Sequence, residues 1–158
     1  MVALAGKKRV LGMTSQAPTT GSVVVESKIS ALGDVCRQIM ECVKLKKFGE
    51  EDQFAVHLAL EEAFNNAVEH GNQGDPDKTV QIDYSIDDRQ IEIRMTDQGH
   101  GFDPHKVADP RMEENLYEPR GRGLLLMNAY MDVVQYNPRG NSIHMVRFRH
   151  KGSKDPGH

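Results

Sequence analysis

The chain has 158 residues, of which 38% are hydrophobic and 27% are charged. This size fits one domain with one hydrophobic core, and the composition is typical of a soluble globular protein. No apolar run approaches the roughly 20 residues that span a bilayer, so no membrane segment is expected. The formal net charge of −3 offers no general attraction for nucleic acid. The locally basic run from Arg147 to Lys151 is expected to be a solvated strand end.

The N-terminal residues 1–21 mix Gly, Lys, Ser, Thr and Pro without periodicity, which predicts a disordered or loosely attached arm. They lack the apolar stretch of about 7–15 residues that a signal peptide requires, so the cytoplasm is the expected location. Cys36 and Cys42 lie six positions apart on one predicted helix, where they cannot bridge each other. Both are therefore expected to be reduced.

The folded domain is expected to occupy residues 22–151, followed by a frayed tail over 152–158. Val23–Glu26 predicts an edge strand, and apolar residues at three- and four-residue steps predict an amphipathic helix over 29–45. A second helix is predicted from Glu51 to His70. Gly71 is well suited to end that helix in the left-handed conformation.

The second half of the domain predicts two β-hairpins separated by a lid and a helix. Alternating apolar residues predict the hairpin strands 80–86, 91–95, 133–136 and 143–148. Residues 103–119 are rich in proline and acids, which is typical of a mobile lid, and 124–131 predict an apolar helix. Together these elements predict an α+β two-layer sandwich, with helices on one face of a mostly antiparallel mixed sheet.

The helix over 51–70 distinguishes Glu62 and Asn66 from their neighbours Glu61 and Asn65. In rows of every fourth residue, two rows are small or apolar and form the core face, and the row with Glu61 and Asn65 is polar. The row with Glu62 and Asn66 begins apolar and turns polar, which predicts a position at the border of the core. There the Asn66 amide oxygen could bind Mg²⁺, and Glu62 could accept a proton from a hydroxyl.

Asp97 to Gly101 form a motif at the end of the predicted strand 91–95. The Asp97 carboxylate could accept a hydrogen bond from an adenine amino group. Gly99 and Gly101 leave space for a ring and allow a positive φ. Taken alone, the two glycines are equally compatible with an ordinary turn after a strand.

Gly121-Arg122-Gly123 directly precedes the predicted apolar helix. Free N–H groups and the positive end of the helix dipole favour phosphate at such a position, and Arg120 and Arg122 add positive charge. A flexible hinge with surface arginines is the alternative reading of this motif by itself. In combination with Glu62, Asn66 and Asp97, however, it indicates one site for Mg-ATP, over which the predicted lid could close.

At these residues the sequence resembles the anti-sigma factor serine/threonine kinases, the compact bacterial branch of the gyrase and histidine-kinase type ATPases. Glu62 to Gly71 resembles their N box, Asp97 to Phe102 their G1 box, and Gly121 to Leu124 their G2 box. The resemblance extends over roughly Ser22 to Lys151. It implies the Bergerat fold of that superfamily, with ATP and Mg²⁺ as cofactors.

By this resemblance, Glu62 is the catalytic base, Asn66 the magnesium ligand and Asp97 the adenine partner. The other nucleotide-binding residues that it implies are Gly99, Gly101, Phe102, Arg120, Gly121, Arg122, Gly123 and Leu124. The implied activity is phosphorylation of a serine on an anti-sigma antagonist protein, or binding of a sigma factor when that antagonist is phosphorylated, and a homodimer is compatible with it. Two alternatives are a non-catalytic, nucleotide-gated binding module of the same fold and a detached histidine-kinase catalytic domain.

Overall fold

The computed structural model of this protein describes residues 17–101 and 119–150, with the side chains of Pro119 and Arg120 outside that description. Most of the predicted arm, nearly all of the predicted lid, the predicted tail and Phe102 therefore lie outside the described residues. Within the described parts of the chain, no helix combines the length and apolar character needed to cross a membrane.

The described residues form a five-stranded sheet in the order β1-β2-β3-β5-β4, in which every neighbouring pair is antiparallel. The strands are β1 Thr19–Glu26, β2 Thr79–Ile86, β3 Gln90–Asp97, β4 Val133–Tyr136 and β5 Ser142–Phe148. Both predicted hairpins are confirmed, and the pairing of β3 with β5 joins them into one sheet.

The first strand begins earlier than predicted, because residues 19–21 belong to β1 and not to a loose arm. Thr19, Thr20 and Gly21 show no alternating apolar pattern. Their backbone nevertheless pairs with β2, where Gly21 lies opposite Tyr84. The Tyr84 ring occupies the place that a side chain at position 21 would need. Backbone pairing, and not side-chain burial, therefore determines where the strand begins.

In the described parts of the chain, three α-helices accompany the sheet. They are α1 Leu32–Leu45, α2 Glu50–Asn66 and α3 Pro119–Tyr130. A 3-10 turn over Ile29–Ala31 forms the start of the first predicted helix. Glu50, Glu51 and Asp52 occupy the first turn of α2, where negative charge complements the helix dipole.

The end of the second helix differs from the prediction. After Asn66 the chain continues through a π-helical turn over Ala67–Gly71, closed by a 2.7 Å hydrogen bond from the Asn72 N–H to the Ala67 carbonyl. The described residues with positive φ nearby are Gln73 and Gly74, not Gly71. Gly71 is required for a different reason, because the Asp97 carboxylate occupies the place of a Cβ there.

One hydrophobic core lies between the sheet and the helices. The inward residues of β2 and β3 are buried in alternation, namely Val80, Ile82, Tyr84, Ile86, Ile91, Ile93 and Met95. Ile39 of α1, with Leu60 and Phe64 of α2, covers them with no exposed surface. Each such side chain contributes about 1.5–3 kcal/mol through burial. The predicted two-layer α+β fold is thereby confirmed.

A buried ion pair links α2 to β5. The Arg147 Nε donates to Asp52 Oδ1 over 2.8 Å, and the two side chains are only 5% and 0% exposed. The Arg147 Nη1 also donates to the Tyr130 carbonyl at the end of α3, over 2.6 Å. The basic run predicts that Arg147 belongs to a solvated strand end, and this prediction is wrong because the Arg147 side chain is buried. It lies on the core face of β5, where only a charged partner makes its burial tolerable.

Candidate functional site

The end of α2 carries the two polar residues that the helix rows single out. The apolar row and the alanine row are buried throughout, whereas His57 and Glu61 are exposed. Glu62 is half-buried, and Asn66 is only 7% exposed. The predicted position of Glu62 and Asn66 at the border of the core is therefore what the structure contains.

Helix α3 brings the second glycine motif against this pair. A Cβ on Gly123 would lie 3.0 Å from Glu62 Oε2 and 3.3 Å from Asn66 Nδ2. Both distances are tighter than most real Cβ contacts, so only glycine leaves these side chains undisturbed. The polar end of α2 and the glycine motif, some sixty residues apart in sequence, form one surface.

The glycine motif lies inside α3 and not ahead of it, which corrects the predicted boundary. The described part of this helix runs from Pro119 to Tyr130 and so includes the whole motif. Residues 121–123 lie near the N-terminal end of α3 as far as the structure describes it, and the dipole of a helix is positive at that end. The position therefore remains suited to an anion.

Asn66 provides the clearest indication that a ligand belongs here. Its Nδ2 is buried and has no hydrogen-bond partner among the residues that the structure describes. Buried side-chain donors in native proteins nearly always have partners. A phosphate oxygen that reaches this nitrogen would supply the missing acceptor, so the residues present fit a magnesium-bound phosphate group.

Asp97 is the last residue of β3 and is held in place by backbone contacts. Its Oδ1 accepts a 2.8 Å hydrogen bond from the Gly99 N–H, and its own N–H donates to the Asn141 carbonyl over 2.9 Å. A Cβ on Gly71 would overlap the Asp97 carboxylate, and one on Gly99 would overlap the Gly71 carbonyl. The absence of a side chain at Gly99 therefore makes room for the Gly71 carbonyl. Gly101, with a φ of 79°, has the predicted positive φ.

Asn66 and Asp97 line the same small cavity. Its other lining residues are Ala63, Ala67, Met95, Tyr136, Asn141 and Ile143. Its volume of about 10 Å³ is far below the roughly 300–1,000 Å³ of typical ligand sites, so the cavity shows only that Asn66 and Asp97 lie near each other. The sequence interpretation missed Tyr136 and Asn141, because the turn between β4 and β5 signals only a hairpin.

The remaining predicted nucleotide residues are less central. Arg122 is exposed, and Leu124 is buried in the hydrophobic core. Gly121 is partly exposed within the first turn of α3. Phe102 and the Arg120 side chain lie outside the described residues.

A second cavity, of about 620 Å³, lies between α1 and α2 and includes the exposed Glu61 and the half-buried Asn65. It contains none of the residues proposed to bind nucleotide, so its size does not make it the site. Cys36 lies in its wall, and burial, with the nearby Glu61 carboxylate, raises the pKa of the Cys36 thiol. Cys36 and Cys42 are both free cysteines, in agreement with the prediction that they do not pair.

Comparison with known families agrees with this geometry. Residues 25–147 match the histidine kinase-like ATPase domain, so the chain belongs to that family. The match contains Glu62, Asn66, Asp97 and Gly123, and it confirms the resemblance read from the three motifs.

Several bacterial proteins are similar to this chain. The chain is 29% identical over 101 residues to the serine-protein kinase RsbW of Listeria innocua, covering 58% of this chain and 62% of that protein. It is 26% identical over 100 residues to the serine/threonine-protein kinase BtrW of Bordetella bronchiseptica, covering 62% and 70%. The anti-sigma F factor of Halalkalibacterium halodurans is 30% identical over 92 residues, covering 54% of this chain and 60% of that protein.

A solved structure shares the fold. The RsbU and RsbW domains of a Mycobacterium tuberculosis protein superpose with a TM-score of 0.57 at 16% sequence identity, covering 84% of this chain and 33% of that chain. At that identity the similarity concerns the fold alone. The chain spans only about 62% of the length of the Listeria relative.

Proposed function

We propose that the protein is an anti-sigma regulatory factor that uses Mg-ATP to phosphorylate a serine or threonine on an antagonist protein. The observation that carries the proposal is the close approach of Glu62 and Asn66 to Gly123, where a Cβ would crowd both side chains, because it joins a candidate base to a candidate phosphate site. The names of the relatives, which include two kinases and an anti-sigma factor, support the same activity.

In the proposed reaction each residue acts through its position. Glu62 accepts the proton of the attacking hydroxyl while the new O–P bond forms and the bond to the leaving diphosphate breaks. Asn66 supplies an oxygen to Mg²⁺, which neutralises phosphate charge when bound. The first turn of α3 holds phosphate oxygens, and Asp97 accepts from the adenine amino group. Phosphoryl transfer depends mainly on such positioning and charge stabilisation.

The proposed partners are an antagonist protein that carries the phosphorylated residue and a sigma factor. A new phosphate adds about −1.5 to −2 charges, which weakens a packed interface and so releases the antagonist. We also propose that the reaction takes place in the cytoplasm. A homodimer is part of the proposal, as is an N-terminal arm ahead of the ATP-binding domain.

The test uses labelled ATP, candidate antagonist proteins and two matched variants. Glu62→Gln is expected to bind ATP but to lose about 10²–10⁴-fold in phosphoryl transfer, the usual contribution of a general base. Glu61→Gln changes the exposed neighbour and is expected to transfer normally. Normal transfer by Glu62→Gln would sink the assignment.

The same experiment separates the alternatives. Nucleotide-dependent partner binding without a phosphorylated product would favour a non-catalytic module. An acid-labile phosphate on a histidine would favour a histidine-kinase catalytic domain.

A further inference from the structure

Asn72 is a fully buried polar residue that follows the π-helical turn, with 0% of its surface exposed. Its Nδ2 donates to Ser27 Oγ over 2.9 Å and to the Thr79 carbonyl over 3.0 Å. Its Oδ1 accepts a 2.8 Å hydrogen bond from the Gln98 N–H. One side chain therefore joins the end of β1, the start of β2 and the segment after β3.

The contact with Gln98 reaches the adenine side of the candidate site. Gln98 stands between Asp97 and Gly99, so the Asn72 Oδ1 fixes the peptide immediately after the Asp97 carboxylate. The Gln98 side chain reinforces this, since its Oε1 accepts from the Thr79 N–H over 2.8 Å. The peptide that follows Asp97 is thus held by residues that do not line the cavity.

The last residue of the π-helical turn, Gly71, and the residue that follows it, Asn72, both contact the Asp97–Gly99 segment. Gly71 packs its backbone against the Asp97 carboxylate, and Asn72 bonds to the next peptide. The extra residue of a π turn shifts the register of the chain, and such turns are frequent at functional sites. The turn therefore connects the helix that carries Glu62 and Asn66 to the strand end that carries Asp97.

Position 72 requires both kinds of hydrogen-bonding group in a neutral side chain. The two donor contacts need the amide nitrogen, and the Gln98 contact needs the amide oxygen. A carboxylate would lose the donors and carry a buried charge, and an aliphatic side chain would leave three polar groups unpaired.

We propose that Asn72 is a positioning residue for adenine recognition, which holds the Asp97–Gly99 segment in the orientation that selects an amino group. The proposal rests on the proposed ATP-binding function. It assigns Asn72 no contact with the nucleotide, so its loss acts through Asp97 and leaves phosphate binding unchanged.

The test compares binding of ATP, inosine triphosphate and tripolyphosphate by the full chain. Inosine triphosphate carries an oxygen where adenine has its amino group, so the ATP preference reports on Asp97. Asn72→Ala is expected to reduce the ratio of ATP to inosine triphosphate affinity roughly five- to tenfold, as the loss of one hydrogen bond does, with tripolyphosphate affinity unchanged.

Ser27→Ala is the matched control, because it removes a buried partner of Asn72 but leaves the Gln98 contact. It is expected to lower the melting temperature while keeping the wild-type ratio. If Asn72→Ala does not fold, Asn72→Ser, whose hydroxyl is too short to reach Gln98, is measured at low temperature in its place.

The outcomes distinguish this inference from the proposed function. A wild-type protein that binds none of the three ligands would contradict the proposed function. A wild type that prefers ATP, with an Asn72 variant that keeps the same preference, would overturn only the positioning role. An equal loss of preference in Ser27→Ala would overturn it too, because Asn72 would then act through general stability.

Discussion

Gly123→Ala is expected to separate stability from activity in this protein. Glycine inside a helix is about 1 kcal/mol less favourable than alanine, so the substitution stabilises α3 by propensity alone. The new Cβ, however, would stand 3.0 Å from Glu62 Oε2 and 3.3 Å from Asn66 Nδ2. Moving these side chains off their rotamers costs about 0.5–1.5 kcal/mol, so the net change in the free energy of unfolding is close to zero.

Activity is expected to respond much more strongly than stability. A displacement of Glu62 and Asn66 misplaces the candidate base and metal ligand, and a misplacement of about 1 Å lowers the rate of an enzyme up to 10²-fold. The assay is phosphoryl transfer from labelled ATP, measured beside a thermal melt of the same preparation.

Gly33→Ala is the control for Gly123→Ala. Gly33 also lies in a helix, but a Cβ there meets no atom within 4 Å. The control is expected to raise the melting temperature by about 2–4 °C for each kcal/mol gained, with unchanged transfer. A Gly123→Ala variant with wild-type transfer would refute the placement of the phosphate site against Glu62 and Asn66.

Two further predictions concern buried groups away from the site. Asp52→Ala leaves the Arg147 guanidinium buried without its carboxylate, so urea titration is expected to show a loss of about 3–5 kcal/mol in the free energy of unfolding. Asp52→Leu combined with Arg147→Met removes both charges and is expected to lose much less. An equal loss in the double variant would show that the unpaired charge is not the reason. Burial raises the pKa of the Cys36 thiol, so this thiol stays protonated at pH 8. Iodoacetamide is therefore expected to label the half-exposed Cys42 first, which mass spectrometry measures. Faster labelling of Cys36 would contradict this expectation.

Local periodicity accounts for what could be predicted about the site. The rows of α2 follow from 3.6 residues per turn, so the border position of Glu62 and Asn66 is encoded within one helix. The alternation in β2 and β3 is equally local, and it placed Asp97 at a strand end. These patterns identified the three motifs without any knowledge of how the elements pack.

Glycine shows where such reasoning fails. The sequence interpretation explained Gly71 by a left-handed helix end, but the Asp97 carboxylate is what excludes a side chain there. Gly123 similarly owes its role to two side chains on another helix. A glycine can be needed for a positive φ or for the close approach of another group. Only the tertiary contacts of the residue distinguish these two roles.

The amino-acid sequence by itself determined the class of fold, the family and the residues at the border of α2, because each depends on patterns within a few turns or strands. The tertiary structure alone decided that Gly123 meets Glu62, that Arg147 is buried against Asp52, and that Asn72 supports the segment after Asp97. Those contacts join residues 26 to 95 positions apart. Their existence depends on how the helices pack on the sheet, which no local pattern records.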